Sequence, residues 1–394
     1  MLSRHNAIIR LFLAVGLLML CGCRGKTQDD ATASGTTPVA RSGVPRLNGT
    51  KWTITLPKPA NAAPVLSEGL LFLTTEDGNL HAFDGETGAE RWSHNVHGKG
   101  LIAAEGAIYV AGTDGAIRAL EGRTAAEKWR FRTRGALTSL PILRNGVIYA
   151  GTAAGRLHAI DSLTGAEKWF VESEPDIFAN HFGPKVLYEI LLASADQNAV
   201  YYWSGFGQPL IAVDSATHQR RWKYSPTNSA NNISAAVSAA GGRVFVPTME
   251  DLVSLDAATG QERWSIPAGF ISGAPLLVGE TLYYAELGGA LHAIDAAKGK
   301  EQWRAFGKGF VSAPAFLDGV LYVVGGAESS TILGSVQSPD VPASGGGWVM
   351  AVDSKTGRTL WTYEVKESSF QFAPCVGPST LYAVTKTGVL LALR

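Results

Sequence analysis

The sequence predicts an all-β protein: an eight-bladed β-propeller of four-stranded antiparallel blades, its ring closed by pairing an N-terminal strand with the last blade. Three observations predict it. A motif of the form small-x-Asp-x-x-Thr-Gly-x-x-x-Trp, or close to it, recurs seven times in 394 residues. Short strands of period two, separated by Gly-containing turns, fill each interval. One further Trp-bearing strand stands alone near the start, while the last unit has three strands and no fourth. A period of about 40 residues with one Trp per unit marks a repeat architecture.

The motif can be followed residue by residue. Ala82-Phe83-Asp84 leads to Trp92, Ala119-Leu120-Glu121 to Trp129, Ala159-Ile160-Asp161 to Trp169, and Ala212-Val213-Asp214 to Trp222. Ser254-Leu255-Asp256 leads to Trp264, Ala293-Ile294-Asp295 to Trp303, and Ala351-Val352-Asp353 to Trp361. The first unit shows the internal order most plainly. Residues 63–66 and 69–75 are two strands, Glu76-Asp77-Gly78 turns, 79–84 is a third strand, Glu86-Thr87-Gly88 turns again, and 89–93 is the fourth. Asp-Gly and Thr-Gly supply the positive φ that such hairpins need. Four short antiparallel strands per unit make a propeller blade.

Each Trp sits on the outermost strand, with a natural burial place against the neighbouring blade. A Trp that buries ~150–250 Å² at ~25 cal/mol/Å² contributes at most about 4–6 kcal/mol. Closure follows from the two ends of the repeat. Residues 372–376, 381–385 and 388–393 are three strands. Residues 49–55 carry Trp52 and supply the fourth, because an unclosed ring leaves unpaired strand edges.

Two units are too long. The Trp169 to Trp222 interval is 53 residues and the Trp303 to Trp361 interval 58, against 37 to 42 elsewhere. The first insertion, at 172–184, lengthens a link between blades. The second, at 325–347, lengthens a loop between second and third strands. Antiparallel strands alternate direction, so both emerge on one face of the ring, the expected working face. Phe178 and Phe182 on the link, with Trp203 and Phe206 on the next hairpin of that blade, are candidate partner-binding anchors.

Composition bounds the rest. The chain is 46% hydrophobic and 9% aromatic, ample for a large core, and 45 glycines fit many tight turns. Lys+Arg and Asp+Glu both number 34, and this neutral balance points away from nucleic acid. His81, His158 and His292 share one repeat position, with Arg118 there in the second unit. Their blades are not adjacent, so a shared metal is not expected, and they read as half-exposed strand residues. Asp77-Gly78 and Asp114-Gly115 resemble fragments of calcium loops but lack the other ligands and read as hairpin turns. No catalytic constellation, phosphate loop or zinc helix motif occurs.

Residues 1–22 read as a signal peptide, with Arg4 and Arg10 before an apolar stretch too short to span a bilayer. It ends in Leu20-Cys21-Gly22-Cys23, which resembles a bacterial lipobox and implies lipid attachment at Cys23. Residues 23–48 are polar and small, a flexible tether, and 49–394 form the propeller. Cleavage before Cys23 leaves Cys375 as the one free thiol, so no internal disulfide is expected. Arg24 after the lipidated cysteine fits outer-membrane sorting.

The repeat over 49–394 resembles the tryptophan-docking repeat of pyrroloquinoline-quinone (PQQ) dehydrogenases. Those enzymes stack PQQ on a vicinal disulfide beside calcium and a catalytic Asp. This chain has no adjacent cysteines, so no cofactor is expected. A lipobox, a short tether and eight such blades are also similar to the BamB family of the outer-membrane β-barrel assembly machinery. That resemblance implies a non-catalytic scaffold, lipid-anchored on the periplasmic face of the outer membrane. It would bind the periplasmic domains of the barrel-forming subunit and help present nascent outer-membrane proteins. Arg134-Gly135, before the first strand of the third blade, loosely matches the family's partner-binding segment. A quinoprotein-like oxidoreductase and a lipid-tethered polysaccharide- or peptide-binding propeller are the alternatives.

Overall fold

The computed structural model describes residues 49–173, 189–204, 208–226, 233–306, 309–326, 346–366, 368–370 and 372–394. The expectations for the signal peptide, Cys23, the tether, Phe178, Phe182 and Phe206 lie outside the described residues.

Eight antiparallel sheets, one per blade, are present, and the described residues include no helix. Blade one runs Val65–Ser67, Leu70–Thr74, Asn79–Asp84 and Glu90–Asn95. Blades two to six repeat that order, each with its strands hydrogen-bonded in sequence order. Blade eight takes Cys375–Val376, Leu381–Val384 and Val389–Leu393 from the C-terminal end and Thr50–Thr55 from the N-terminal end. The closing register is Trp52 opposite Ala392 and Thr55 opposite Val389. Leu56 N donates to Gly388 O at 2.8 Å and Arg394 N to Gly49 O at 3.0 Å. The ring therefore closes as the repeat count requires.

Second and third strands carry the core. Their side chains are buried almost without a break, whereas the fourth strands alternate exposed and half-buried. That gradient is what stacking blade on blade produces: both faces of the inner strands are covered, and the outer strand faces water. First strands tend to be short. Pro64, Pro141, Pro275, Pro314 and Pro374 have no N–H to give, and the strands after them are two or three residues long, beginning at Val65, Ile142, Leu276, Ala315 and Cys375. Blade two has Leu101 in place of that proline, and its first strand is continuous over Gly98–Ala104.

The small residue that opens each motif lies opposite the Trp: Ala82 pairs with Trp92, Ala159 with Trp169, Ser254 with Trp264. A larger side chain would stand in the way of an aromatic on the second strand. Phe72, Tyr149 and Phe245 lie 5.8–6.1 Å, centroid to centroid, from those three indoles. Each blade thus holds a ladder of aromatic, small residue and Trp across three strands.

The turn that follows serves two blades. Asp84 Oδ1 accepts the N–H groups of Glu86 at 3.0 Å and Thr87 at 2.8 Å, closing its own turn. The carbonyl after it, Gly85 O, accepts Trp52 Nε1 of the preceding blade at 3.2 Å. The same bond runs from Trp92 to Gly122, Trp129 to Ser162, Trp222 to Ala257, Trp264 to Ala296 and Trp303 to Ser354, at 3.0–3.1 Å. The turn glycine lies flat on the same indole. At Gly165 (φ 72°) a Cβ would sit 2.6 Å from Trp129, so both conformation and contact demand glycine there. In blade four His218 (φ 62°) takes the glycine's place and stacks on Trp169 with centroids 4.7 Å apart.

The turn carboxylates make the fold sensitive to acid. The Arg263 guanidinium and the backbone N–H of Thr259 hold the Asp256 carboxyl down to about 2. Arg91 beside Asp84, and the backbone N–H of Thr217 with Arg221 at Asp214, hold those two well below the usual carboxylate range. A carboxyl whose pKa is depressed on folding stabilises the fold above its unfolded pKa, and loses that contribution as pH falls through the folded one. The melting temperature is expected to drop steeply from about pH 4 to about pH 2. Asp256→Asn should lower stability at neutral pH and flatten part of the acid limb. An unchanged acid limb would mean these turns do not couple to unfolding.

Candidate functional site

The lengthened segments lie where the spacing placed them. One joins the fourth strand of blade three, Glu167–Glu172, to the first strand of blade four, Leu191–Ala195. The other joins Val320–Gly326 to Gly347–Asp353, second to third strand of blade seven. Links between blades and loops between second and third strands leave the ring on the same side. Arg134 lies on this face too, exposed in the link between Glu127–Arg132 and Ile142–Arg144.

Trp203 ends the second strand of blade four at this face. It is half-buried against the cluster shared by blades four and five, with Tyr201, Leu210 and Val237. The indole thus packs locally as well as reaching the candidate face. Trp348, outside the docking register, is 9% exposed and belongs to the blade-seven core with Leu321 and Val323.

The histidine position corrects an expectation. His81, His158 and His292 are not half-exposed but buried, at 3%, 2% and 6%. Each Nδ1 faces a glutamate at the start of the next strand: His81 and Glu90 at 2.8 Å, His158 and Glu167 at 2.5 Å, His292 and Glu301 at 3.0 Å. The pair is repeated because the Glu lies two residues before the docking Trp, on the strand beside the imidazole. Arg118 fills the position in blade two and forks onto Asp114, through Nη1 to Oδ1 at 3.1 Å and through Nη2 to Oδ2. That ion pair, led by the Arg118 guanidinium, lowers the Asp114 carboxyl pKa. Asp77 is held by Thr75 Oγ1 at 2.6 Å and Asn79 Nδ2 at 2.9 Å. Both aspartates are turn residues, as the sequence indicated.

The residues present do not fit a quinone site of the dehydrogenase kind. The cysteines are Cys21, Cys23 and Cys375, none adjacent to another, and Cys375 is a buried free thiol. Among the described residues no three His, Cys, Asp or Glu side chains converge to hold a metal ion. No helix among them is long and apolar enough to cross a membrane.

Comparison with known proteins bears on most of the ring. The family model described as "Outer membrane protein assembly factor BamB" matches residues 44–176, 207–304 and 249–394. Quinohemoprotein alcohol dehydrogenase ADH IIB of Pseudomonas putida is 34% identical over 130 residues, 28% of this chain and 19% of that protein. The serine/threonine-protein kinase AfsK of Streptomyces griseus is 30% identical over 115 residues, 27% of this chain and 14% of that protein. The chain thus spans less than a fifth of either relative. Among solved structures, BamB from Moraxella catarrhalis superposes with a TM-score of 0.64 at 14% identity, covering 88% of this chain and 99% of that one. Quinohemoprotein alcohol dehydrogenase from Comamonas testosteroni does so at 0.60 and 15%, covering 88% and 76%. At such identities the superpositions establish the fold alone.

Proposed function

The chain belongs to the family described as outer membrane protein assembly factor BamB, and from that premise we propose that it is a non-catalytic scaffold lipoprotein, anchored through Cys23 to the periplasmic face of the outer membrane. Its role is that of an accessory subunit in assembling outer-membrane β-barrel proteins. The partner is the set of periplasmic domains of the barrel-forming subunit, with nascent barrel proteins as further clients. The observation that carries the reading is the extent of the family match, residues 44–176, 207–304 and 249–394, which leaves only 177–206 of the propeller outside it. Two features support it: the long insertions share one face with Arg134, and the cysteines cannot form the vicinal disulfide of a quinone site.

The contact on that face is assigned to Phe178, Phe182 and Phe206, with Arg134 and Trp203 at its margin. Aromatics on loops, outside the docking register, are the side chains that anchor interfaces. The experiment is affinity capture of the tagged protein from detergent-solubilised envelopes. The barrel-forming subunit should co-purify. A Phe178→Ala, Phe182→Ala, Phe206→Ala variant should keep its melting temperature and lose that partner. Capture without the subunit, joined to PQQ- and calcium-dependent dye reduction, would move the protein to the quinoprotein class.

The anchor has its own test. Cys23→Ser should move the protein from the membrane fraction to the soluble periplasm, whereas Cys21→Ser should leave it membrane-bound. Membrane retention of Cys23→Ser would reject lipid attachment at that residue.

A further inference from the structure

The outer strand of blade two differs from its counterparts in charge. Glu127–Arg132 pairs on one side with Ala116–Glu121, and its other edge carries N–H and C=O groups with no strand beside them among the described residues. Along it Lys128, Arg130 and Arg132 are exposed, and Arg134 continues the alternation into the link. Period-two spacing sets these cations on one side of the strand, about 7 Å apart. The matching positions are Arg91, Ser93 and Asn95 in blade one, Lys168, Phe170 and Glu172 in blade three, and Arg263, Ser265 and Pro267 in blade five. No other blade aligns three cations there. Glu127 holds Arg130 at 2.7 Å, and Lys128 lies in the field of Glu121. No ion pair among the described residues holds Arg132 or Arg134.

The other side of the same strand is apolar. Trp129 and Phe131 turn toward blade three, where Trp129 Nε1 donates to Ser162 O and the Phe131 ring meets His158 edge-on with centroids 5.4 Å apart. Two large apolar side chains stand exposed on that blade. Leu163 follows Ser162 in the turn and is 79% exposed. Phe170, opposite His158 in the register, is 44% exposed, with the Arg156 guanidinium 4.2 Å above its ring. These are the exposed large hydrophobics among the described residues, and both belong to the blade that this strand packs against. One edge strand therefore has a cationic side and an apolar side.

We propose that this edge docks an extended acidic polypeptide segment, one in which carboxylates alternate with apolar side chains. Added beside Glu127–Arg132, such a segment sets its alternate residues on the two sides of the blade. Carboxylates then lie beside Lys128, Arg130 and Arg132, and apolar groups beside Phe131 and Phe170. Backbone hydrogen bonds to the open edge hold it in line. A row of like charges repels the same strand of a second copy, so the edge selects a partner of opposite charge over self-pairing. A flat anionic lipid surface fits less well, because Glu127 lies in the same strand and Glu167 and Glu172 stand exposed on the next outer strand. The site lies on the rim, apart from Phe178, Phe182 and Phe206, and is independent of the assembly-factor reading.

Fluorescence anisotropy of the detergent-solubilised full chain tests it, with a labelled peptide of about eight residues alternating Glu and Val. Saturable binding with a Kd on the order of 0.1 mM is expected at low salt, weakening about tenfold or more as the Debye length shrinks. A peptide of the same composition with its Glu residues in one block should bind at least several-fold more weakly. Lys128→Glu with Arg132→Glu should weaken the alternating peptide tenfold or more while the melting temperature holds, since both side chains are exposed. Lys223→Glu with Lys355→Glu makes the same charge change on other blades and should bind as the parent does. Of two peptides N-methylated on alternate amides, one should lose binding and the other keep it, because alternate N–H groups face the edge. Four results would overturn the proposal. One is no saturable binding up to ~5 mM. Another is equal loss in the two double variants, or equal binding of the block peptide, which would leave only a diffuse field. A third is binding indifferent to either methylation pattern. The fourth is binding of phosphatidylglycerol vesicles or heparin without the peptide, which would assign the row to a lipid or a polyanion.

Discussion

Deleting residues 49–56 is expected to unfold the propeller as a whole rather than fray one end. The segment is the fourth strand of blade eight, and its removal strips Val389–Leu393 of its outer partner along the entire register. It also removes Trp52, which bonds Gly85 O of blade one and covers Gly88. The loss therefore opens a blade and a seam together. Trp52 alone is a large-to-small change of roughly 3–5 kcal/mol. With the strand's hydrogen bonds added, a fall in melting temperature on the order of 10–20 °C is expected. The bared edge strand should also promote association. Scanning calorimetry and light scattering of the truncated and parent proteins measure both. A melting temperature within a few degrees of the parent would mean that the ring does not depend on its closure.

Trp264→Ala is expected to cost about 3 kcal/mol, at the lower end of the large-to-small range. The indole is half-buried, so it gains less than the full burial value. Its Nε1 also satisfies Ala296 O, and losing that donor strands a carbonyl in the seam. Trp222 is 7% exposed and should cost more, nearer 5 kcal/mol. Trp361 behaves differently. It packs on Tyr322 with centroids 6.0 Å apart, yet its Nε1 has no partner among the described residues. The blade it faces is the closing one, where third and fourth strands come from opposite ends of the chain and no continuous turn joins them. Trp361→Phe should therefore be nearly neutral, whereas Trp264→Phe should lose about 1 kcal/mol or more. Urea denaturation of the four variants separates them. Equal losses for the two Phe substitutions would remove the docking hydrogen bond from the account.

Trp348 shows where the sequence misleads. It lies outside the motif, and its substitution is expected to cost less than that of a docking Trp if it is exposed. The structure puts it at 9% exposure in the cluster that holds Val323 and Met350, so its truncation belongs with the core Trp variants. The histidines mislead in the same direction. His81, His158 and His292 look like polar residues on half-exposed strands, but each is buried because a glutamate on the adjacent strand reaches its Nδ1. That glutamate sits at a fixed place, two residues before the docking Trp, so the pairing was open to reading from the repeat. The aromatic on the second strand was equally open: Phe72, Tyr109 and Tyr149 each precede a docking Trp by 20 residues.

What the sequence determined by itself is the architecture. The Asp-x-x-Thr-Gly turn, the Trp after it and the lone strand at Trp52 fix blade count, strand order and closure, because these depend on local turn geometry and on a period that every unit repeats. The face that carries the insertions follows from strand alternation alone. Only the tertiary structure decided what happens between blades. The carbonyl that six of the docking Trp residues reach, the glycine or His218 that lies on a neighbouring indole, the orphaned Nε1 of Trp361 and the open cleft beside His292 all sit at seams between units. A seam is built from side chains of two blades, separated in sequence by 30 residues or more at every docking bond described here. The side chain two residues after the docking Trp varies in size between such seams, Phe131 meeting His158 in one and Ile266 standing beside the open cleft in another. A repeat read along the chain averages over that difference, while packing in three dimensions depends on it.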